Sequence, residues 1–239
     1  MNDTLLNQVA WIGEDILSGP IRGIVLQFSG LGATGMKSVA DDTERELGEA
    51  GALVVLPYHD PWSWTNAPTR AFYDELVDGL FAHYVLPPDT PIIASGGSMG
   101  GHGALLYTIL GGRPVAACAA NCPVCDLPFH YTERVDLPRT MHHAFGSYSD
   151  ISSALVSNSP LHLAGRMPDI PYLIVHGEDD MAVGKAPHSD KLVEKMRTHG
   201  LNVDYREQAG MGHCGPFDPV LQRRWTEFVL EQLAAKAQR

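Results

Sequence analysis

The sequence predicts an α/β fold: a mostly parallel central sheet with helices on both faces. Three observations carry this. Short apolar, β-branched runs alternate with helix-period segments along the 239 residues, and strands that alternate with helices form right-handed βαβ crossovers. Ile24-Val25-Leu26 and Leu53-Val54-Val55-Leu56 are continuously hydrophobic, as strands buried on both faces of a parallel sheet are. A hydrophobic fraction of 44% over this length fills one sizeable core. No repeat, low-complexity tract or linker divides the chain, so 1–239 reads as a single domain.

The elements follow in order. Val9–Ile12 is a short edge strand, and Arg22–Phe28 and Ala52–Pro57 are the first two buried strands. Thr69–Val85 places Phe72, Leu76, Leu80 and Tyr84 on one helical stripe and is stopped by Pro87-Pro88. The strand Pro91–Ser95 leads through a glycine-rich turn into a helix from Met99 to about Leu110, and Pro114–Ala120 is the next strand. The segment 122–169, rich in Pro, His and aromatic residues, lies between two strands; it is expected to be a helical excursion forming a short cap insertion. Pro171–His176 and Leu201–Arg206 complete the sheet. Between them, Pro187–His199 turns Leu192, Val193 and Met196 inward and ends at Gly200, a C-terminal cap. A last helix, Phe217–Ala235, carries Leu221, Trp225, Phe228 and Val229.

Lys+Arg 17 against Asp+Glu 28 gives a formal charge of −11. With no basic stripe or run, this argues against nucleic acid or an anionic membrane as partner. The first residues lack a positive n-region with a long apolar run, and no stretch approaches a membrane span; the expected location is cytoplasmic. The lone C-x-x-C at Cys122-Pro123-Val124-Cys125 has no second ligand pair or thioredoxin-like context. Cys118, Cys122, Cys125 and Cys214 are therefore read as free thiols. His142-His143 has no evident partnering carboxylate, and neither metal nor organic cofactor is expected.

Chemistry is announced by Gly96-Gly97-Ser98-Met99-Gly100-Gly101, directly after a strand and before a helix. A serine in such a turn is held on a strained elbow with its hydroxyl projecting from the sheet. Side chains at Gly96 or Gly100 would collide with the neighbouring strand and helix. The P-loop lysine and the spaced G-x-G-x-x-G of phosphate-binding turns are absent. A serine hydroxyl needs a base, and the base an orienting acid. The expected order is Ser, then Asp or Glu, then His. Glu178, Asp179 and Asp180 lie just beyond the strand ending at His176, and His213 sits between glycines after the last strand. Among other histidines, His176 reads as structural, while His102 is one helical turn beyond Ser98. For the oxyanion, Met99 supplies one backbone N–H. The loop Ser29-Gly30-Leu31-Gly32 supplies the second, assigned to Leu31. Tyr58, Trp62 and Trp64, in a loop at the carboxyl end of the same sheet, are candidate walls of an acyl or aromatic pocket.

The strings Gly-Gly-Ser98-Met-Gly-Gly-His-Gly-Ala-Leu, Ser159-Pro160-Leu161, His176-Gly177-Glu178-Asp179-Asp180-Met181-Ala182-Val183 and Gly212-His213 resemble the α/β-hydrolase superfamily. The likeness is to its prolyl oligopeptidase and esterase D-like branch, over roughly residues 22–235. The resemblance implies the acid four positions after the histidine of the His-Gly pair, which selects Asp180. Ser29 stands where many relatives carry histidine, and no β-propeller is expected within these 239 residues to filter peptides by size. The implied activity is a serine hydrolase cleaving carboxylic esters of small or medium acyl groups through an acyl-enzyme. Alternatives are a serine peptidase or aminoacyl hydrolase, whose amine clamp Glu133, Asp136 or Asp60 would have to provide, or a non-catalytic binding protein on the same scaffold. The expected partner is a small ester or short peptide, with the chain a monomer or homo-oligomer.

Overall fold

The computed structural model describes residues 3–234. Seven strands form one sheet in the order β1-β3-β2-β4-β5-β6-β7, with β1 antiparallel at one edge and every other pairing parallel. In chain order the elements are α1 (Asp3–Val9), β1 (Ala10–Ile12), β2 (Gly23–Phe28), α2 (Asp42–Glu49), β3 (Ala52–Pro57) and α3 (Ala67–His83). Then come β4 (Ile92–Gly97), α4 (Met99–Leu110), β5 (Ala117–Asn121), α5 (Leu127–Glu133), α6 (Leu137–Phe145) and α7 (Ile151–Ser157). The chain closes with β6 (Tyr172–Gly177), α8 (Lys191–Thr198), β7 (Val203–Gln208) and α9 (Pro219–Ala234).

Successive side chains of a strand point to opposite faces, and the buried residues divide accordingly. Ile24, Leu26, Leu53, Val55, Ile92 and Ala94 pack with α3, α4 and α8. Val25, Val54, Ile93, Ala119, Leu173 and Val175 pack with Leu47 of α2 and with Leu221, Phe228 and Val229 of α9. Continuous hydrophobicity thus marks two cores, one on each side of the sheet. A third cluster, with Val124, Leu127, Leu137, Met141, Phe145 and Leu155 from residues 122–157, packs on Met99 at the start of α4. No helix among the described residues is long and apolar enough to cross a membrane.

All seven expected strands form, with small shifts at their ends. β4 runs two residues further than its apolar run because Gly96 and Gly97 still pair with Ala120 and Asn121. α3 begins at Ala67, two residues early, because the Asn66 side chain accepts the Thr69 N–H at 3.1 Å and caps it. The expected helix over 187–199 is a π-type turn, Ala186–Asp190, running into α8. The final helix starts at Pro219 rather than Phe217, and Ala235 lies outside the described residues. Two helices were not foreseen. α1 is too short to declare itself, but α2 carries a capping box in which Asp41 and Glu44 each satisfy the other's backbone N–H. That Asp-x-x-Glu spacing was legible.

Candidate active site

Each candidate side chain sits at the carboxyl end of a parallel strand. Ser98 follows β4 with φ 58° and ψ −124°, a conformation that an L-residue holds only when its surroundings impose it. The imposing contacts are visible at two glycines. A Cβ on Gly96 would lie 2.5 Å from the Gly100 carbonyl group, and one on Gly100 would overlap the Phe28 carbonyl oxygen at the end of β2. Helix α4 can therefore start hard against the sheet only with hydrogen at both positions. The Ser98 N–H donates to Asn121 O at 2.9 Å, tying the elbow to β5.

The serine hydroxyl meets His213 Nε2 at 2.8 Å, and His213 Nδ1–H donates to Asp180 Oδ2 at 2.7 Å. The structure brings together three residues from three loops: after β4, after β6 and after β7. The other Asp180 oxygen, Oδ1, accepts the Ala182 and Val183 N–H groups, each at 2.9 Å. Burial pushes this carboxyl upward, but the donors from His176, His213 and the two backbone amides outweigh it and hold Asp180 well below the usual carboxylate range. It is an anion with every lone-pair direction occupied. Asp179 and Glu178 are the exposed neighbours in this turn.

His176, read as structural, is wholly buried and holds the Asp180 turn from below. Its Nε2 reaches Val183 O at 2.9 Å and Asp180 Oδ2 at 3.4 Å, and its Nδ1 meets Ser189 Oγ at 2.6 Å. His102 is also buried. It bridges Val124 O at 3.1 Å and Trp64 O at 3.3 Å, and burial pushes its pKa down to about 4. Its ring joins residues 122–125 to the 58–65 loop, and only its backbone N–H reaches Ser98, at the carbonyl oxygen, 3.0 Å away.

The two assigned oxyanion donors lie close in the chain path. Phe28 pairs with Gly96 across the parallel ladder, so the loop through Leu31 leaves the sheet beside the elbow. Among the described residues, no acceptor takes up the backbone N–H of Leu31 or of Met99, whereas the Gly32 N–H is committed to Pro61 O at 3.0 Å.

The aromatic loop is arranged differently from the expected pocket wall. Trp64 is 1% exposed. Its indole N–H donates to Thr140 Oγ1 at 2.9 Å, and it packs in the cluster of α5 and α6. It is a core residue, because α6 lies against the loop and supplies the partner that a buried indole N–H requires. Trp62 stacks edge-on against His143 and under the Arg139 guanidinium. Tyr58 is exposed and donates to Thr34 O at 2.9 Å. Sequence reasoning missed the cavity of about 350 Å³ lined by Gln27, Ser95, Gly97, Asn121, Cys214 and Trp225 on the α2 and α9 side of the elbow. Its residues come from six separate segments, and no single string announces it. A groove of about 510 Å³ between β7 and α9 holds none of the triad residues.

Three clusters bring potential metal donors within 4.8 Å of one another: Cys122, His213 and Cys214; Cys122, His176 and Asp180; and His130, Glu133 and His188. The first two draw on the triad itself. In the third, His188 Nδ1 accepts the N–H groups of Cys125 and Asp126, both at 3.2 Å, so its proton sits on Nε2 and points at Glu133 Oε2 at 2.9 Å. His130 Nδ1 points at the same carboxylate. A metal at His188 Nε2 would require an imidazolate, so this donor set does not fit one. The cluster instead links α5 to the turn before α8. Burial pushes Glu133 upward, but its two imidazole partners hold the carboxyl down at about 2.

An elbow serine after a mid-sheet strand, with a histidine and a buried carboxylate in relay, on a parallel sheet with helices on both faces, is the arrangement of the α/β-hydrolase fold. Residues 76–238 match the model of the prolyl oligopeptidase family, and the chain belongs to that family. Among solved structures it is similar to Porphyromonas gingivalis dipeptidyl peptidase 4, with a TM-score of 0.72 and 17% identity over 93% of this chain and 33% of that one. It is similar to a puromycin hydrolase at 0.70 and 18%, over 91% of this chain and 34% of that one. A truncated carbohydrate esterase from gut microbiota gives 0.70 and 19%, over 94% and 96%. The chain thus spans about a third of the length of the first two of these structures and nearly all of the third. No curated protein sequence matches it.

Proposed function

We propose that the protein is a serine hydrolase that cleaves carboxylic esters of small or medium acyl groups. The observation that carries this is the continuous relay Ser98–His213–Asp180, with contacts of 2.8 and 2.7 Å. Ser98 Oγ attacks the ester carbonyl as His213 Nε2 takes its proton, and Asp180 stabilises the imidazolium that forms. The oxyanion develops toward the Met99 and Leu31 N–H groups and the N-terminus of α4. His213 then protonates the departing alkoxide. A water, deprotonated by the same imidazole, attacks the acyl-enzyme and releases the acid and Ser98. In this reading residues 122–169 are a cap over one side of the site within a single domain.

Esters are favoured over substrates with a free amino terminus because each carboxylate considered as an ammonium clamp is already engaged. Glu133 takes two imidazoles. Asp136 pairs with Arg134 at 2.6 Å, and Asp60 with His143 at 2.6 Å. The family match supports the second reading, a peptidase or aminoacyl hydrolase using the same machinery.

A fluorophosphonate probe tests the site. Wild type is labelled at neutral pH and Ser98→Ala is not; an unlabelled wild type rejects the reading. Rates on p-nitrophenyl acetate, butyrate and octanoate set against aminoacyl anilides separate the two substrate classes. Anilide turnover exceeding ester turnover overturns the preference.

A further inference from the structure

Of the four cysteines, two meet beside the relay. Cys122 directly follows β5 and Cys214 directly follows His213. Their sulfurs and a His213 ring nitrogen lie within 4.8 Å of one another. Both residues stand in the left-handed backbone region, with φ 43° and 47°, where an L-residue is held only by its surroundings. Cys122 is pinned by its N–H to Val175 O at 2.8 Å and is buried. Cys214 is exposed, and it lines the cavity at the elbow, where its sulfur faces Gly97 and the Asn121 carbonyl. Cys118 and Cys125 are buried elsewhere, and burial pushes both thiols up. The Cys214 thiol donates to Asn121 O at 3.8 Å, with the Cys122 sulfur beside it. That neighbouring thiol, joined by the Gly177 and Cys214 backbone amides and opposed by burial, holds Cys122 below the usual thiol range, while Cys122 and burial push Cys214 up.

We propose that Cys122 and Cys214 form a reversible oxidative modification site, a dithiol that hydroperoxides convert to a disulfide and thereby switch off the hydrolase. The switching rests on the relay proposed above; formation of the bond does not. Proton transfer from Cys214 to Cys122 puts the charge on the accessible sulfur. That sulfur attacks one peroxide oxygen, forming an S–O bond as the O–O bond breaks and hydroxide leaves. The hydroxide removes the proton from Cys122 and becomes water. The Cys122 thiolate then displaces the second hydroxide from the Cys214 sulfenic acid, and the S–S bond closes. Two electrons pass from the dithiol to the peroxide, whose oxygens leave as water and hydroxide.

A disulfide draws the two sulfurs to about 2.05 Å, and the backbone that must follow on one side is the His213-Cys214 segment, since Cys122 is fixed to the sheet. A side-chain hydrogen bond is lost by about 3.6 Å, so a shift of about 0.8 Å in His213 breaks the 2.8 Å contact to Ser98.

The test is stoichiometric hydrogen peroxide on the whole protein. The readouts are the Cys122–Cys214 linked peptide by mass spectrometry, the free-thiol count in denaturant, and turnover of p-nitrophenyl butyrate. The expected result is a loss of two hydrogens, a thiol count falling from four to two, and at least a tenfold fall in turnover, all reversed by dithiothreitol. Cys214→Ser and the buried-site variant Cys122→Ser should each lose the peroxide sensitivity, read as turnover after treatment relative to the same variant before it; Cys214→Ser alone suffices should Cys122→Ser not fold. Absence of the linked peptide, or a linkage through Cys118 or Cys125, overturns the site. A linked peptide with full turnover overturns the switch. If the wild type turns over no ester and takes no fluorophosphonate, the relay reading has failed, and the linked peptide still decides the dithiol.

Discussion

Replacing Asp180 by asparagine tests how the relay is oriented. The wild-type carboxylate divides its duties: Oδ1 accepts the Ala182 and Val183 amides, both at 2.9 Å, and Oδ2 accepts His213 Nδ1–H at 2.7 Å. In the Asp180→Asn variant only one side-chain atom can accept. Two backbone donors point at one site, so the amide oxygen settles there and the NH₂ group is turned toward His213. Nδ1 must then be the acceptor, the imidazole proton moves to Nε2, and the nitrogen facing Ser98 no longer has a lone pair to take the hydroxyl proton. The wrong tautomer is fixed by bonds that also hold the loop, so the fold persists while the base is lost. An acid-to-amide change of this kind costs about 10⁴ in kcat, or about 5.4 kcal/mol at 1.36 kcal/mol per tenfold. The assay is kcat and KM on p-nitrophenyl butyrate, with circular dichroism to confirm folding. KM should change little, because Asp180 is buried behind the histidine. A folded variant within tenfold of wild-type kcat refutes the claim that the two backbone amides decide the rotamer.

Three further outcomes follow. Gly100→Ala should yield insoluble protein or a melting temperature lowered by more than about 10 °C on thermal scanning, because its Cβ meets the Phe28 carbonyl oxygen rather than a movable side chain. Trp64→Phe should cost about 1–3 kcal/mol in urea unfolding, by leaving Thr140 short of its indole partner and opening a small void in the α5–α6 cluster. Stability should fall with acid: Glu133 is lowered from 4.5 to about 2 and Asp180 is lowered as well. Their contributions are whole above the unfolded carboxyl range and are lost as pH falls toward the folded values. Urea midpoints at pH 7, 4 and 3 should decrease in that order, and Glu133→Gln should flatten part of the decline.

Much of this was legible because the physics is local. The elbow glycines, the apolar runs and the His-Gly-Glu-Asp-Asp turn each state their own constraint within a few residues. Their order along the chain fixes which strand ends they occupy. Trp64 was not legible, because its environment comes from α6, and a tryptophan in a loop reads the same whether its partner is a helix or a ligand. The roles of Glu133 and His188 were hidden for a similar reason: 55 positions apart, they acquire meaning only once α5 and the turn before α8 are adjacent. Cys214 showed only as a free thiol; its nearness to Cys122 depends on how the loop after β7 folds back over the end of β5.

These late-appearing contacts have one thing in common: they fasten residues 122–169 to the rest of the molecule around the elbow, at the 58–65 loop, α4 and the segment after β6. Glu133 holds His188 and reaches the Gly184 N–H at 3.4 Å, four residues after Asp180. Trp64 holds Thr140 of α6, and His102 holds Val124. Residues 122–169 and the Asp180 turn therefore share a scaffold, and a change that loosens one loosens the other. Glu133→Gln consequently distinguishes two views of this segment. An insertion that only shapes the pocket would alter KM and acyl-length preference. A segment that also braces the Asp180 turn would lower kcat across all esters in parallel with a loss of stability at neutral pH. The shared hydrogen bonds support the second view, and a Glu133→Gln enzyme with wild-type kcat and altered chain-length preference would refute it.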